Sequence, residues 1–376
     1  MLKDGKLNAY LNKASKDLLL VGERMRKYYI DNLRILCIFL LFPFHTTMIY
    51  NTFGEIFYIN GTPTESLTFV NIGVYAWWMT GLFVLAGMST MYALEHRTGK
   101  QYIKERIHKL LVPLLSCLVL VVPMQTYIAD RFHNGYQESY IAHLKIFLTI
   151  TDFGGYDGHF TPGHTWFILY LFIISTVTLP ILLWYRKRKR KLDGKKINML
   201  MLLLLGIPVV LLDDVLNVGG KSFAQFGACF LIGYFIMSDE AVLERLQKYS
   251  TPLGIGWVIL IVTRCTLHAR GYSERLGNTV TYCLLSWIGI LAMLGLGRRF
   301  LNHNWKLTKH FVKAEFPLYL FHQTIVIMVG YWIMPRVENV YAEYFLIIMI
   351  SFLLSYILYQ ICRRFSITRF LFAIKK

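Results

Sequence analysis

The chain predicts an all-α, polytopic integral membrane protein with about ten transmembrane helices and both termini cytoplasmic. Three observations lead there. Of 376 residues, 55% are hydrophobic and only 16% charged, with mean hydropathy +0.45, a balance unlike that of a soluble domain. Apolar runs long enough to cross ~30 Å of hydrocarbon recur along the whole length. The basic residues fall in alternate connections between those runs, as the positive-inside rule requires of a multi-pass protein.

The elements follow in order. Residues 1–28 are polar and basic, and their longest apolar run, Leu18 to Gly22, is too short for the core of a secretory signal. They are expected to form a cytoplasmic segment, and 29–376 one transmembrane domain. Spans are expected at about 33–50, 69–94, 110–128, 165–185, 197–212, 222–238, 252–266, 279–297, 315–335 and 342–361. The fifth is short for a full crossing. With a cytoplasmic N-terminus the inner segments hold 32 Lys or Arg and the outer loops 7, so the net charge of +18 reads as membrane topology, not as a nucleic-acid surface. The run Arg186 to Lys191 is then a cytoplasmic anchor. The long outer connection, Ala129 to His164, is rich in Tyr, Phe, Gly and His and carries Asp152 and Asp157; Tyr140 to Ile150 within it suits an interfacial helix. It fits a sugar-binding surface and an aromatic interfacial belt equally. The six cysteines include no CxxC pair and read as small core residues. No metal site is expected.

Two ionisable residues stand inside the first apolar stretch, Arg34 and His45. A charge at membrane depth is costly, and marks a functional site by default. Eleven residues apart, they share one helix face, about 16 Å apart along the axis. Histidine titrates near neutrality and is the natural general base; a helix-packing role is the alternative for His45. Arg34 suits a phosphate or carboxylate clamp, or an ion pair with Asp31 one turn away. Pro43 is expected to kink the helix just before His45. Glu315, Tyr319 and His322 fall on one face of the ninth span, either as a second polar wall to a site or as a structural network, with His322 about a third of the way along. Asp213 and Asp214, in an outer loop, read as solvated.

Asp31-Asn32-Leu33-Arg34, ten intervening residues, then His45 resembles the Arg-x10-His signature of the membrane acyltransferase-3 family. Phe83-Val84-Leu85-Ala86-Gly87 is similar to the family's FFxxSG ending of the second helix, and Arg106 to Pro113 to its basic RxxR-LLxP element. Gly163-His164-Thr165-Trp166-Phe167 resembles HxWF, and Pro317 to His322 resembles PLYxxH. Pro43-Phe44-His45 followed by Ile49-Tyr50 looks most like the branch associated with succinylation of periplasmic glucans. Two positions depart from the pattern: Ala86 replaces a common serine, and Lys109 the second arginine of RxxR, losing its bidentate fork.

The resemblance implies an integral membrane O-acyltransferase of the bacterial inner membrane. It would move an acetyl or succinyl group from cytoplasmic acyl-CoA to a hydroxyl of an extracytoplasmic carbohydrate, with no permanently bound cofactor. His45 and Arg34 would be catalytic, and Arg34, Arg106 and Lys109 would bind acyl-CoA. His164, Trp166, Glu315, Tyr319, His322 and Asp31 would form the acceptor or supporting polar site. The competing reading is a glycan transporter or flippase. Transporters commonly show internal repeats and paired broken helices, and the sequence shows neither convincingly.

Overall fold

The computed structural model describes residues 27–149, 155–156, 158–188, 192–272 and 276–375. Residues 1–26, Asp152, Asp157 and Lys189 to Lys191 lie outside that set, so the basic N-terminal segment, the two loop aspartates and half of the anchor run have no structural account.

The described residues are mainly helical. The first span, Tyr28 to Ile49, starts five residues earlier than expected and divides into α1 (Tyr28–Phe39) and α2 (Leu41–Ile49) around a turn at Leu40. Pro43 causes the break: it has no N–H for the Phe39 carbonyl. α3 (Glu65–Glu95) is a single long helix. α4 (Gly99–Arg106) opens on a capping box between Thr98 and Gln101. It continues through a π-helical turn at Ile107–Leu111 into α5 (Val112–Leu120) and α6 (Val122–His133), so the third span is longer than expected. In the long outer connection Ser139 caps α7 (Tyr140–Phe147), close to the interfacial helix expected there.

α8 (Trp166–Val177) and α9 (Leu179–Lys187) meet at a 43° bend. The fifth expected span is only α10 (Met199–Leu204) and α11 (Gly206–Leu211), too short to count as a full crossing. A two-residue hairpin, Asn217–Val218 with Lys221–Ser222, turns on Gly219 and Gly220, both at positive φ. α12 (Phe223–Ile232) runs into a π turn at Gly233–Met237 and then bends 97° into α13 (Glu240–Lys248). The sequence suggested a loop at 239–250; instead Asp239 caps an amphipathic helix that buries Val242, Leu243 and Leu246. α14 (Ser250–Ala269), α15 (Leu276–Phe300), α16 (Lys306–Ile333), α17 (Val340–Cys362) and the short α18 (Ser366–Leu371) complete the chain.

Among the described residues seven helices are long and apolar enough to cross a membrane, nine if each bent pair is one span. All-α polytopic architecture is therefore established; the ten of the sequence reading would need the short α10–α11 as well. Contrary to that reading, broken spans are present. They are not a matched pair, however, because one bend is shallow and the other turns sharply into an amphipathic helix packed on α15.

α16 is the axis of the fold. Of its most apolar window 78% is buried, against 6% for α14, and α1, α2, α6 and α17 all pack on it. α3 and α12 touch backbone to backbone: a Cβ on Gly87 would lie 1.9 Å from the Phe230 carbonyl oxygen, and one on Gly233 2.2 Å from that of Val84. The glycine ending the FFxxSG-like element is therefore a packing device of the small-residue kind. Lys27 pairs with Glu240 at 2.7 Å, and Lys375 lies within electrostatic reach of Asp31 and Lys109. Both ends of the described chain thus sit at the same end of the bundle.

Candidate active site

Three histidines from three separate elements converge in the bundle. α2 supplies His45, the turn before α8 supplies His164, and α16 supplies His322. Ring centroids are 5.0 Å apart for His45 and His322 and 5.1 Å for His164 and His322. The three rings differ in what their nitrogens do. His164 Nε2 faces the Leu320 carbonyl oxygen at 2.9 Å and donates to it, so Nδ1 accepts from the Gln125 amide at 3.1 Å. Both its nitrogens are used. His322 is fully buried, and its Nδ1 donates to the Tyr319 carbonyl oxygen at 2.6 Å. That bond fixes the tautomer and leaves Nε2 as a bare lone pair, buried without a partner. His45 is half-buried, and its Nδ1 is likewise buried and unpartnered. Phe44 and Phe57 lie 5.1 and 6.2 Å from its ring. The imidazole thus faces the protein interior, opposite His322, and not the lipid.

A neutral network holds the pair in place. Gln125 Nε2 donates to Thr324 Oγ1 at 2.7 Å, Gln323 Nε2 donates to Gln125 Oε1 at 3.0 Å, and the Tyr319 hydroxyl donates to the His164 carbonyl oxygen at 2.6 Å. Gln125, Gln323 and Thr324 escaped the sequence reading. Amides inside apolar runs give no charge signal, and their partners lie nearly 200 residues away.

Arg34 belongs to a second cluster. Its Nη2 donates to Asp31 at 2.8 Å and to Glu315 at 3.0 Å. Arg34, Asp31 and Glu315 are therefore together, as one alternative foresaw for the Asp31 pair. Glu315, Tyr319 and His322 do not act as one wall: Glu315 turns to Arg34, Tyr319 to His164 and His322 to His45. Because α16 begins well before residue 315, His322 sits just past its midpoint and not a third of the way along. At the same end as Arg34, Arg106 stacks over Tyr102 at 4.5 Å, and Lys109 pairs with Glu105. Trp166 stands away from the histidines, against Tyr170 and Phe226, with the Lys221 ammonium 5.2 Å from its ring.

A further cation arrives from the C-terminal segment. α18 packs Phe370 5.3 Å from His108, and Phe372 stacks edge-on to Phe321 at 4.9 Å. Ala373 is held at φ 50°, which only a well-determined surrounding maintains in a non-glycine residue. This hook carries Lys375 toward Arg34 and Lys109. Burial and those two charges draw its ammonium below the ordinary lysine range.

What this architecture defines is a polytopic membrane acyltransferase. A family profile described as an acyltransferase domain (acyltransferase-3) matches residues 27–360, and the chain belongs to that family. It is similar to glucans biosynthesis protein C of Salmonella heidelberg, 22% identical over 93% of this chain and 94% of that protein. The Salmonella enteritidis and Salmonella agona proteins of the same name are each 23% identical over the same shares. No solved structure matches the chain.

Proposed function

We propose that the protein transfers an acetyl or succinyl group from cytoplasmic acyl-CoA to a hydroxyl of an extracytoplasmic glycan, in a bacterial inner membrane, with both termini cytoplasmic and 29–376 acting as the catalytic domain. The relatives' name makes a glucan the first acceptor to try. One observation carries the reading: a half-buried imidazole at membrane depth, His45, that keeps an unpartnered nitrogen and whose ring lies 5.0 Å from that of His322, itself with a bare Nε2. Bare lone pairs in a buried setting are costly and are kept where a proton must be received.

In the proposed reaction His45 takes the proton of the acceptor hydroxyl as its oxygen bonds to the thioester carbonyl carbon. The tetrahedral adduct then collapses, the C–S bond breaks, and the departing thiolate takes the proton from His45. Transfer is direct, with no acyl-enzyme. His322 opposes the imidazolium and steadies its orientation. Arg34, its guanidinium held by Asp31 and Glu315, orients the donor at the cytoplasmic end beside Arg106, Lys109 and Lys375. Coenzyme A is multiply phosphorylated, and cations at a protein mouth attract such a ligand.

The test is acyl transfer from radiolabelled acetyl- or succinyl-CoA to a gluco-oligosaccharide by protein in nanodiscs. His45→Ala is expected to abolish transfer while leaving insertion and thermal midpoint unchanged. Retained activity overturns the assignment, and sugar movement across vesicles without donor would favour transport.

A further inference from the structure

The Arg34–Glu315 and His45–His322 clusters are joined by the same two helical stretches, and each stretch carries a proline between them. In the first span Pro43 and the turn at Leu40 separate Arg34 from His45. In α16 Pro317 separates Glu315 from His322. α16 stays helical there, but Pro317 has no N–H for the carbonyl four residues earlier, and its ring crowds that carbonyl. The turn 318–322, in which the Tyr319 carbonyl oxygen accepts from His322 Nδ1, therefore begins where the helix lacks a rung.

A segment from far along the sequence meets α16 at that level. α18 is tied to the end of α17: Thr368 Oγ1 donates to the Cys362 carbonyl oxygen, and Arg369 donates to those of Arg363 and Arg364 at 3.1 and 3.3 Å. It packs on α5. It closes in a Schellman turn, in which Ile374 N–H donates to the Arg369 carbonyl oxygen at 2.8 Å and Ala373 N–H to that of Phe370 at 3.3 Å. The turn sends Phe372 and Ile374 inward, both buried. Phe372 meets Phe321, the neighbour of His322, edge-on. Successive helix positions point about 100° apart, so the contact bears on the flank of the turn and not on the imidazole. Three residues further on, Lys375 is within electrostatic reach of Glu315 and Asp31, and Glu315 Oε2 is buried with no hydrogen-bond partner. Glu315 and Phe321 are about 9 Å apart along the helix rise, and three residues of extended chain reach about 10 Å. Segment 372–375 thus addresses α16 with a ring on one side of Pro317 and a charge on the other.

We infer that Phe372 and Lys375 are positioning residues that splint α16 across Pro317 and hold His322 in register with the Arg34–Glu315 end of the site. Phe372 is the anchor, because a buried ring on a ring resists displacement. Lys375 is exposed, so water screens its attraction to Glu315 and its share is smaller. Without the splint the turn 318–322 opens more often, and His322 Nε2 spends less time opposite His45. The purpose of the splint rests on the acyl-transfer reading; its existence does not.

Hydrogen exchange of the full chain in nanodiscs, without substrate, tests the splint. Phe372→Ala should speed exchange across 314–325 about tenfold while α3 exchanges as in wild type, which also shows that the bundle is folded. Phe372→Leu should stay near wild type, and Phe372→Val carries the comparison if the alanine variant does not insert. Pro317→Ala restores the missing N–H, so in that background Phe372→Ala should change the same exchange by no more than about threefold. Exchange that ignores Phe372→Ala, or rises equally with and without Pro317, overturns the splint. Turnover then reads its purpose. Lys375→Gln should raise the donor KM about threefold at unchanged kcat, with Lys375→Arg restoring it. Phe372→Ala should raise KM as much and also lower kcat about tenfold, the cost of misplaced groups. Adding Lys375→Gln to Phe372→Ala should change nothing more, because a released segment no longer holds the ammonium; additive effects overturn a single splint. Exchange as expected in a wild-type protein that transfers no acyl group overturns the reaction instead and leaves the splint standing.

Discussion

Arg34 and His45 share one span, yet their surroundings are opposite. Arg34 is held by two carboxylates, Asp31 and Glu315. His45 has only rings near it and an unpartnered nitrogen. The first is how a protein keeps a permanent charge at the membrane edge: the guanidinium cannot discharge, so it is paired. The second is possible only because imidazole can stay neutral until a proton arrives. The same contrast separates the histidines. His164 spends both nitrogens on Leu320 and Gln125 and braces the site; His322 spends one and keeps the other. Bareness, not proximity to the centre, distinguishes the groups assigned to chemistry from those assigned to support.

The comparison can be broken in order of effect. His45→Ala should lower kcat by about 10²–10⁴-fold, the range for loss of a general base, with donor binding intact by equilibrium dialysis. His322→Phe keeps a ring of similar size but removes Nε2, and should cost about 10–100-fold in kcat at unchanged donor KM and shift the pH–rate profile. Wild-type rates in that variant would mean that the bare nitrogen is idle. Gln125→Ala frees one side of His164, and a loss of about tenfold with a small fall in thermal midpoint is expected, since only positioning is weakened. Glu315→Gln leaves Arg34 with Asp31 alone; with the guanidinium about a third exposed, a stability loss of about 1 kcal/mol by thermal denaturation is expected. A larger loss of turnover than of stability there would move Arg34 from anchoring to chemistry.

Much of the site was legible because its members carry charge or titrate. Arg34, His45 and His322 stand out in apolar runs, since lipid-depth polarity is rare and costly, and His164 through its place in the HxWF-like element. Pro43 announced the break beside His45. The grouping of those residues was less legible. Glu315 and His322 lie on one helix face, but the neighbours each meets come from elements hundreds of residues distant, so the face serves two clusters. Gln125, Gln323 and Thr324 were invisible for the same reason.

Hydropathy and charge alternation settled the all-α membrane architecture before any coordinates, because the bilayer admits only helices or closed barrels and sorts basic loops by side. They also settled which residues were expensive enough to need a purpose. Which lone pairs remain open was decided by packing alone. Whether a histidine is a brace or a base depends on carbonyls such as those of Leu320 and Tyr319 arriving within about 3 Å of a given nitrogen, a distance that no spacing along the chain encodes.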